Sequence, residues 1–203
     1  MSNSTDTYLT IAGESQGIYR EKASKFIGLA FPVNHETDIK EILARLRKEY
    51  YDANHHCYAY CLGYGKNIYR INDDGEPSGS AGKPIYGQIL SHDISDILIV
   101  VIRYFGGTKL GIPGLIHSYR TAAKEAIEHA CIVEKTLMVK IQICFGYLAM
   151  NEVMHIIKEE ECQIINRQSD ESCTLEVMVR KSSVIRFQTR IQRLKDISKF
   201  VLL

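Results

Sequence analysis

No apolar run in these 203 residues approaches the ~18 that a membrane-spanning helix needs, so no membrane partner is expected. The opening stretch, Met1 to Thr10, is polar and lacks the charged and apolar regions of a secretory signal; the expected location is the cytoplasm. Six cysteines, at 57, 61, 131, 144, 162 and 173, include no CxxC pair. Without a secretory signal they read as reduced, mostly buried thiols rather than a disulfide frame. Charge of one sign is also missing: 25 basic and 24 acidic side chains leave a formal net charge of +1, which by itself selects no class of partner. With 45% hydrophobic and 24% charged residues, the chain can bury a good core in one large domain or two small ones.

What is present is organised around residues 96 to 130. Ile97 to Ile102 is an almost entirely β-branched run, too short for a buried helix, and reads as a strand covered on both faces in the middle of a sheet. Arg103, Tyr104 and Phe105 follow, and then Gly106, Gly107, Gly111 and Gly114 crowd the turn into a helix opened by Pro113. Leu115, Tyr119, Ala122, Ala123, Ala126, Ile127 and Ala130 give that helix one apolar, small-residue face. Free N–H groups at such a helix start, with Arg103 and Lys109 beside them, suit a phosphate or carboxylate. The competing reading is that the glycines only satisfy backbone angles and close helix packing.

A second turn-rich stretch, Asn72 to Pro84, feeds another helix through Ile85, Ile89 and Leu90. Neither stretch is a Walker loop. Lys109 is followed by Leu110, and Pro77 and Pro84 occupy the positions that such a loop requires at Gly82-Lys83 to be Gly and Ser or Thr. Residues 36 to 49 read as an amphipathic helix, and residues 53 to 62 alternate as a strand that sets His55, Cys57, Ala59 and Cys61 on one face. Residues 1 to 8 read as a frayed terminus. From 136 the order is strand, helix, strand, strand, helix, strand, which is the ferredoxin-like split βαβ unit. A boundary near 131 to 135 follows, giving domains 1–132 and 133–203. On the last helix Arg186, Arg190 and Arg193 fall on one outer face: a solvated surface, or a stripe for nucleic-acid phosphates.

Three segments carry a resemblance: Asp52-Ala53-Asn54-His55-His56-Cys57-Tyr58-Ala59-Tyr60, then Asp73-Asp74-Gly75-Glu76-Pro77-Ser78-Gly79-Ser80-Ala81-Gly82-Lys83-Pro84-Ile85, then Val100-Val101-Ile102-Arg103-Tyr104-Phe105-Gly106-Gly107-Thr108-Lys109-Leu110-Gly111. They resemble the IMPACT/YigZ family in its bacterial two-domain form. The resemblance covers roughly residues 15 to 130. The chain departs from the family pattern at Pro113, where a glycine is usual, and at His117-Ser118, where a basic-Ala pair precedes Tyr119; Arg120 is the nearest substitute for that basic residue.

The resemblance implies an α+β protein of two domains. The first is a two-layer α/β domain like domain IV of elongation factor G and a domain of a small-subunit ribosomal protein. The second is ferredoxin-like, as in the last domain of that factor. The implied role is a non-enzymatic, translation-associated regulator that binds the ribosome, structured RNA or a translation factor. Lys83, Arg103, Gly106, Gly107, Lys109 and Gly111 are then the anion-binding candidates. The alternative is an enzyme acting on a phosphorylated or acyl small molecule, in which His55, Cys57, Asp73, Asp74 and Glu76 supply proton transfer, a nucleophile or a hold on Mg²⁺. Core lining by His55 and Cys57, and turn capping by the aspartates, are the plainer readings of those residues. A zinc site is not expected, since His-x-Cys is two ligands short, and no resident cofactor is expected.

Overall fold

The computed structural model describes residues 6–170 and 172–203, and the chain divides into two compact units. Tyr8–Lys135 form one; Thr136–Leu203, joined by Asp6 and Thr7, form the other.

The first unit is built on a five-stranded antiparallel sheet of β2 (Ser15–Glu21), β3 (Ser24–Pro32), β6 (Ile97–Tyr104), β4 (His55–Leu62) and β5 (Ile68–Asn72), in that spatial order. β6 is the central strand, and Ile97 through Arg103 are all buried. Helices cover both faces. α1 (Glu36–Glu49) lays Ile39 and Leu46 against Ile27, Leu29, Tyr58, Tyr60, Val100 and Ile102. α2 (Gly82–Ser91) and α3 (Gly111–Glu128) pack on Phe26, Ala30, Cys57, Ala59, Ile99 and Val101. The sheet is therefore the middle of three layers, and the two-layer expectation is corrected. β3, β4 and β6 are apolar at successive positions, and a strand with two apolar faces needs cover on each.

α3 lies close to the sheet because both surfaces are small. A Cβ on Gly28 would stand 2.2 Å from the Ala122 carbonyl oxygen, so nothing larger than glycine fits beneath that turn of the helix. This approach delivers Tyr119 to the sheet surface with its ring edge-on to Phe26.

The expected frayed start is also corrected: Thr7–Ile11 form strand β1, paired with β7 (Ile132–Thr136), while residues 1–5 lie outside the described residues. β5 was not anticipated, because its Ile68-Tyr69-Arg70-Ile71 pattern is broken by glycines before it and by the turn-rich stretch behind it. It is an edge strand.

The second unit runs β8 (Met138–Phe145), α4 (Met150–Glu159), β9 (Gln163–Ser169), β10 (Cys173–Arg180), α5 (Val184–Gln192) and β11 (Ile197–Leu202). Its antiparallel sheet has the order β11-β8-β10-β9. Strict alternation on β10, with Cys173, Leu175, Val177 and Val179 buried, faces the sheet toward Val153, Ile157, Phe187 and Ile191 of the two helices.

Candidate functional site

The register of three strands sets up the site. Phe26 on β3, Arg103 on β6 and His55 on β4 are directly opposite one another, so their side chains share the face that carries α2 and α3. Arg103 is buried, with its guanidinium 5.5 Å from the Phe26 ring and 5.6 Å from the Phe105 ring. A buried cation needs a counter-charge. Glu76 supplies it: Arg103 Nη1 donates to Glu76 Oε1 at 2.5 Å, and the two side chains are 7% and 4% exposed.

The loop that delivers Glu76 is held by its neighbours. Asp73 accepts three backbone N–H bonds, from Gly79 at 2.9 Å, Ala81 at 3.1 Å and Gly82 at 2.7 Å. The first turn of α2 thus has its cap supplied from nine residues earlier. Asp74 accepts from the His56 amide and from Arg47, both at 2.7 Å. Burial pushes the Asp74 carboxyl up, but the bonds from Arg47 and the His56 amide outweigh it and hold the group below the ordinary carboxylate range.

Behind Glu76 lies a buried polar relay. The Tyr119 hydroxyl donates to Glu76 Oε1 at 2.7 Å, and Cys57 Sγ stands 3.3 Å from that hydroxyl and 3.0 Å from the Asp73 carbonyl oxygen. Burial, with the Glu76 charge nearby, pushes both the Cys57 thiol and the Tyr119 phenol far up, so both stay protonated at any ordinary pH. A protonated, fully buried thiol is a poor nucleophile. Cys57 here is a core residue with a hydrogen-bonding role.

In front of the pair opens a cleft of about 430 Å³, lined by Asn54, His55, Glu76, Pro77, Arg103, Phe105, Lys109, Leu110, Gly111, Ile112 and Leu115. The two turn-rich stretches therefore converge. Phe105 (47% exposed) and Ile112 (55% exposed) form an apolar rim. Lys109 is exposed and has no ion-pair partner among the described residues, and the start of α3, at Gly111 and Ile112, faces the same space. Because Arg103 already neutralises Glu76, the uncompensated charge on the cleft is positive. Such a cleft can accept an anion that also carries a flat or apolar group.

His55 faces the cleft as well. Its Nδ1 lies 2.8 Å from the Asp74 carbonyl oxygen, which can only accept, so Nδ1 carries the proton. Nε2 then points toward Glu76 Oε1, 3.8 Å away.

The remaining candidates lie elsewhere. Gly106 is packed against β3, where a Cβ would meet the Ala23 carbonyl carbon at 2.1 Å, and its amide donates to Ser24 Oγ. Gly107, at φ +83°, has open space around it and serves the turn. Lys83 lines a separate groove with Arg120 and takes no part in the cleft. The oxygens of Asp73, Asp74 and Glu76 bond in different directions to protein donors, which leaves them ill-suited to share one Mg²⁺.

In the second unit, Arg186 binds Glu160 through Nε and Nη2, and Arg190 binds both Glu159 and Glu160. Two cations of the arginine stripe therefore link α5 to the end of α4, and Arg193 has no carboxylate partner among the described residues. The stripe is largely neutralised, which weakens it as a phosphate track.

Sequence reasoning missed three residues of the site. The helical spacing places Tyr119 on an apolar helix face; the signal for its role is that a buried phenol needs a hydrogen-bond partner. Phe105 and Asn54 sit inside the quoted segments, and Asn54 Oδ1 accepts the Phe105 amide at 2.7 Å, holding the turn in place.

His56 points the other way, under α1, and its Nε2 is buried without a partner. Burial and the Arg47 charge hold its imidazole below 6.5. The unfolded chain takes up a proton near pH 6.5 and the folded one resists it, so stability is full above that value and declines as pH falls below it. The melting temperature of the first unit should drop between pH 7.5 and 5.5, and His56→Leu should flatten that part of the profile. A wild-type profile flat over this range would contradict the burial of a neutral imidazole.

Sheet, buried ion pair and open helix start together define an α+β protein with a cleft suited to anions. The family model described as Impact N-terminal domain matches residues 22–127, which contain all three quoted segments. The IMPACT family member YvyE of Bacillus subtilis (strain 168) is 33% identical over 89% of this chain and 83% of that protein. The IMPACT family member YigZ of Escherichia coli (strain K12) is 28% identical over 84% of each. A solved structure described as that of an hypothetical protein superposes with a TM-score of 0.72 at 26% identity, covering 98% of this chain and 97% of that one. The chain belongs to the IMPACT family.

Proposed function

We propose that this protein is a non-enzymatic, translation-associated binding protein whose first unit holds RNA at the cleft beside Phe105. The observation that carries this reading is the composition of the cleft mouth: a half-exposed aromatic ring, an unpaired lysine and a helix start stand together, while the one carboxylate present is already neutralised. A base stacked on Phe105 gains roughly 1–3 kcal/mol, and a phosphate at Lys109 and the start of α3 gains charge-assisted hydrogen bonds. Two fold likenesses support the ribosome as the place of action. These are the likeness to domain IV of elongation factor G that the family resemblance implies for the first unit, although its sheet is covered on both faces, and the second unit's ferredoxin-like strand order.

Binding rather than catalysis fits the state of the polar groups. Asp73, Asp74 and Glu76 are engaged by protein donors, and Cys57 is buried and protonated. The test is co-sedimentation with ribosomal particles, and binding to a labelled single-stranded RNA, at low and high salt. Phe105→Ala should weaken RNA binding about 5- to 100-fold. Lys109→Ala should lower the salt slope by about 0.7. A protein that stays at the top of the gradient in every condition, with no RNA affinity, defeats the proposal.

One observation favours a second reading. His55 has its proton fixed on Nδ1 and Nε2 turned into the cleft, the posture of a general base for an enzyme acting on a phosphorylated or acyl small molecule. Turnover of such a compound that disappears in His55→Gln while RNA binding is absent would establish it.

A further inference from the structure

Beyond the Glu76–Gly79 loop lies a second groove, of about 520 Å³, between α2 and α3. It is lined by Gly79, Lys83, Pro84, Gly87, Gln88, Ile116 and Arg120, with no carboxylate among them. Lys83 and Arg120 are both exposed and have no hydrogen-bond or ion-pair partner among the described residues. Two glycines border the groove. A Cβ on Gly87 would meet nothing within 4 Å, and Gly79, at φ +75°, lies under the Lys83 stem, where a Cβ would come within 3.3 Å of it. Three other exposed cations on this unit have a carboxylate partner, Arg45 with Glu14, Arg47 with Asp74 and Lys124 with Glu128, whereas Lys83 and Arg120 stand over a concave surface that has none. Two cations left bare over one concave surface mark a place for an anion.

The same helix and the same loop border both concavities. α3 contributes Ile112 and Leu115 to the first and Ile116 and Arg120 to the second, and the loop contributes Glu76 and Pro77 to one and Gly79 to the other. From the start of α3 to Arg120 the helix rises roughly 14 Å. A single phosphate cannot bridge that distance, but a strand carrying phosphates at intervals can.

We propose that Lys83 and Arg120 continue the cleft into one track along α3 for single-stranded RNA, which enters past Phe105 and Lys109 and crosses the Glu76–Gly79 loop. This deepens the reading of the cleft as an RNA site and rests on it. Single-stranded nucleic acid is favoured over an acidic peptide because the track begins at a half-exposed aromatic ring and continues through exposed cations, the pairing that stacks a base and then follows its backbone.

The test uses the whole chain and two labelled oligouridylates: a trinucleotide that fills only the cleft, and an oligomer of about twelve nucleotides that reaches both concavities. Lys83→Ala/Arg120→Ala should bind the longer RNA about tenfold more weakly at low salt, with the salt slope lower by about 1.4, and should bind the trinucleotide as the wild type does. Lys83→Arg/Arg120→Lys should bind both RNAs as the wild type does, and melting temperatures should be unchanged because both side chains are exposed. If the double alanine variant binds the longer RNA with wild-type affinity and slope while Phe105→Ala loses it, the track is refuted and the cleft reading stands. If the wild type binds neither RNA, the cleft reading fails and the track falls with it. If polyglutamate competes as well as RNA of equal charge, the groove is a site for acidic protein and the assignment to RNA is overturned.

Discussion

Glu76→Ala is expected to destabilise the first unit by about 3–5 kcal/mol. The carboxylate is almost fully buried, and it is the sole counter-charge among the described residues to a guanidinium that is also buried. Arg103 Nε already has no partner, so the lost pair has no nearby replacement. The same substitution also strands the Tyr119 hydroxyl, whose 2.7 Å bond ends on that oxygen. Much of the cost is therefore the penalty of an uncompensated buried cation rather than the net worth of the ion pair. A second variant separates the two. Glu76→Leu/Arg103→Met removes both charges and keeps most of the volume, and should recover a large part of the loss. Hydrogen exchange at the amides of β6 reports on this unit directly. Near-wild-type protection in Glu76→Ala would mean that the pair is solvated in solution, and the account of the cleft as net positive would fail with it.

Asp73→Ala should be nearly as damaging, at about 3 kcal/mol, or a fall in melting temperature on the order of 10 °C. Three amides converge on this one side chain, two of them at the N-cap and the first residue of α2. Their removal leaves donors unsatisfied in a half-buried turn and uncaps a helix that has no side-chain cap of its own. Asp73→Asn keeps one acceptor oxygen and should recover part of the loss, since the bonds that remain are no longer charge-assisted. Limited proteolysis within 74–80 gives an independent readout, because the loop should become cleavable before the sheet does. A loop as resistant as the wild type in Asp73→Ala would show that Gly75 and Gly79 hold it without the carboxylate.

How much of this was legible beforehand differs from residue to residue. β6 was readable as a central strand because an unbroken β-branched run has nowhere to go but between two covered faces. α3 was readable because Pro113 and the small-residue stripe are local signals. Alternation along β4 separated Cys57, Ala59 and Cys61 from Tyr58, Tyr60 and Leu62, and these occupy opposite cores in the fold. The site was legible in its membership more than in its roles. Asp73, Asp74 and Glu76 are adjacent in sequence and looked like one acidic cluster, yet only Glu76 faces the cleft. Lys83 and Lys109 looked equivalent, yet the Glu76–Gly79 loop puts them in different concavities.

By itself the chain determined its central strands β4 and β6, its helix starts, the order of elements in the second unit and the segments that mark its family, but not the strands β1, β5 and β7. Periodicity, glycine and proline act over a few residues, and so they leave their mark on the sequence directly. The tertiary structure alone decided which charges remain free. Arg103 is cancelled by a carboxylate 27 residues away and Arg186 by one 26 residues away, whereas Lys109, Lys83 and Arg120 are left bare. Pairing depends on which side chains the packed backbone brings within a few ångströms, and no local pattern carries that distance.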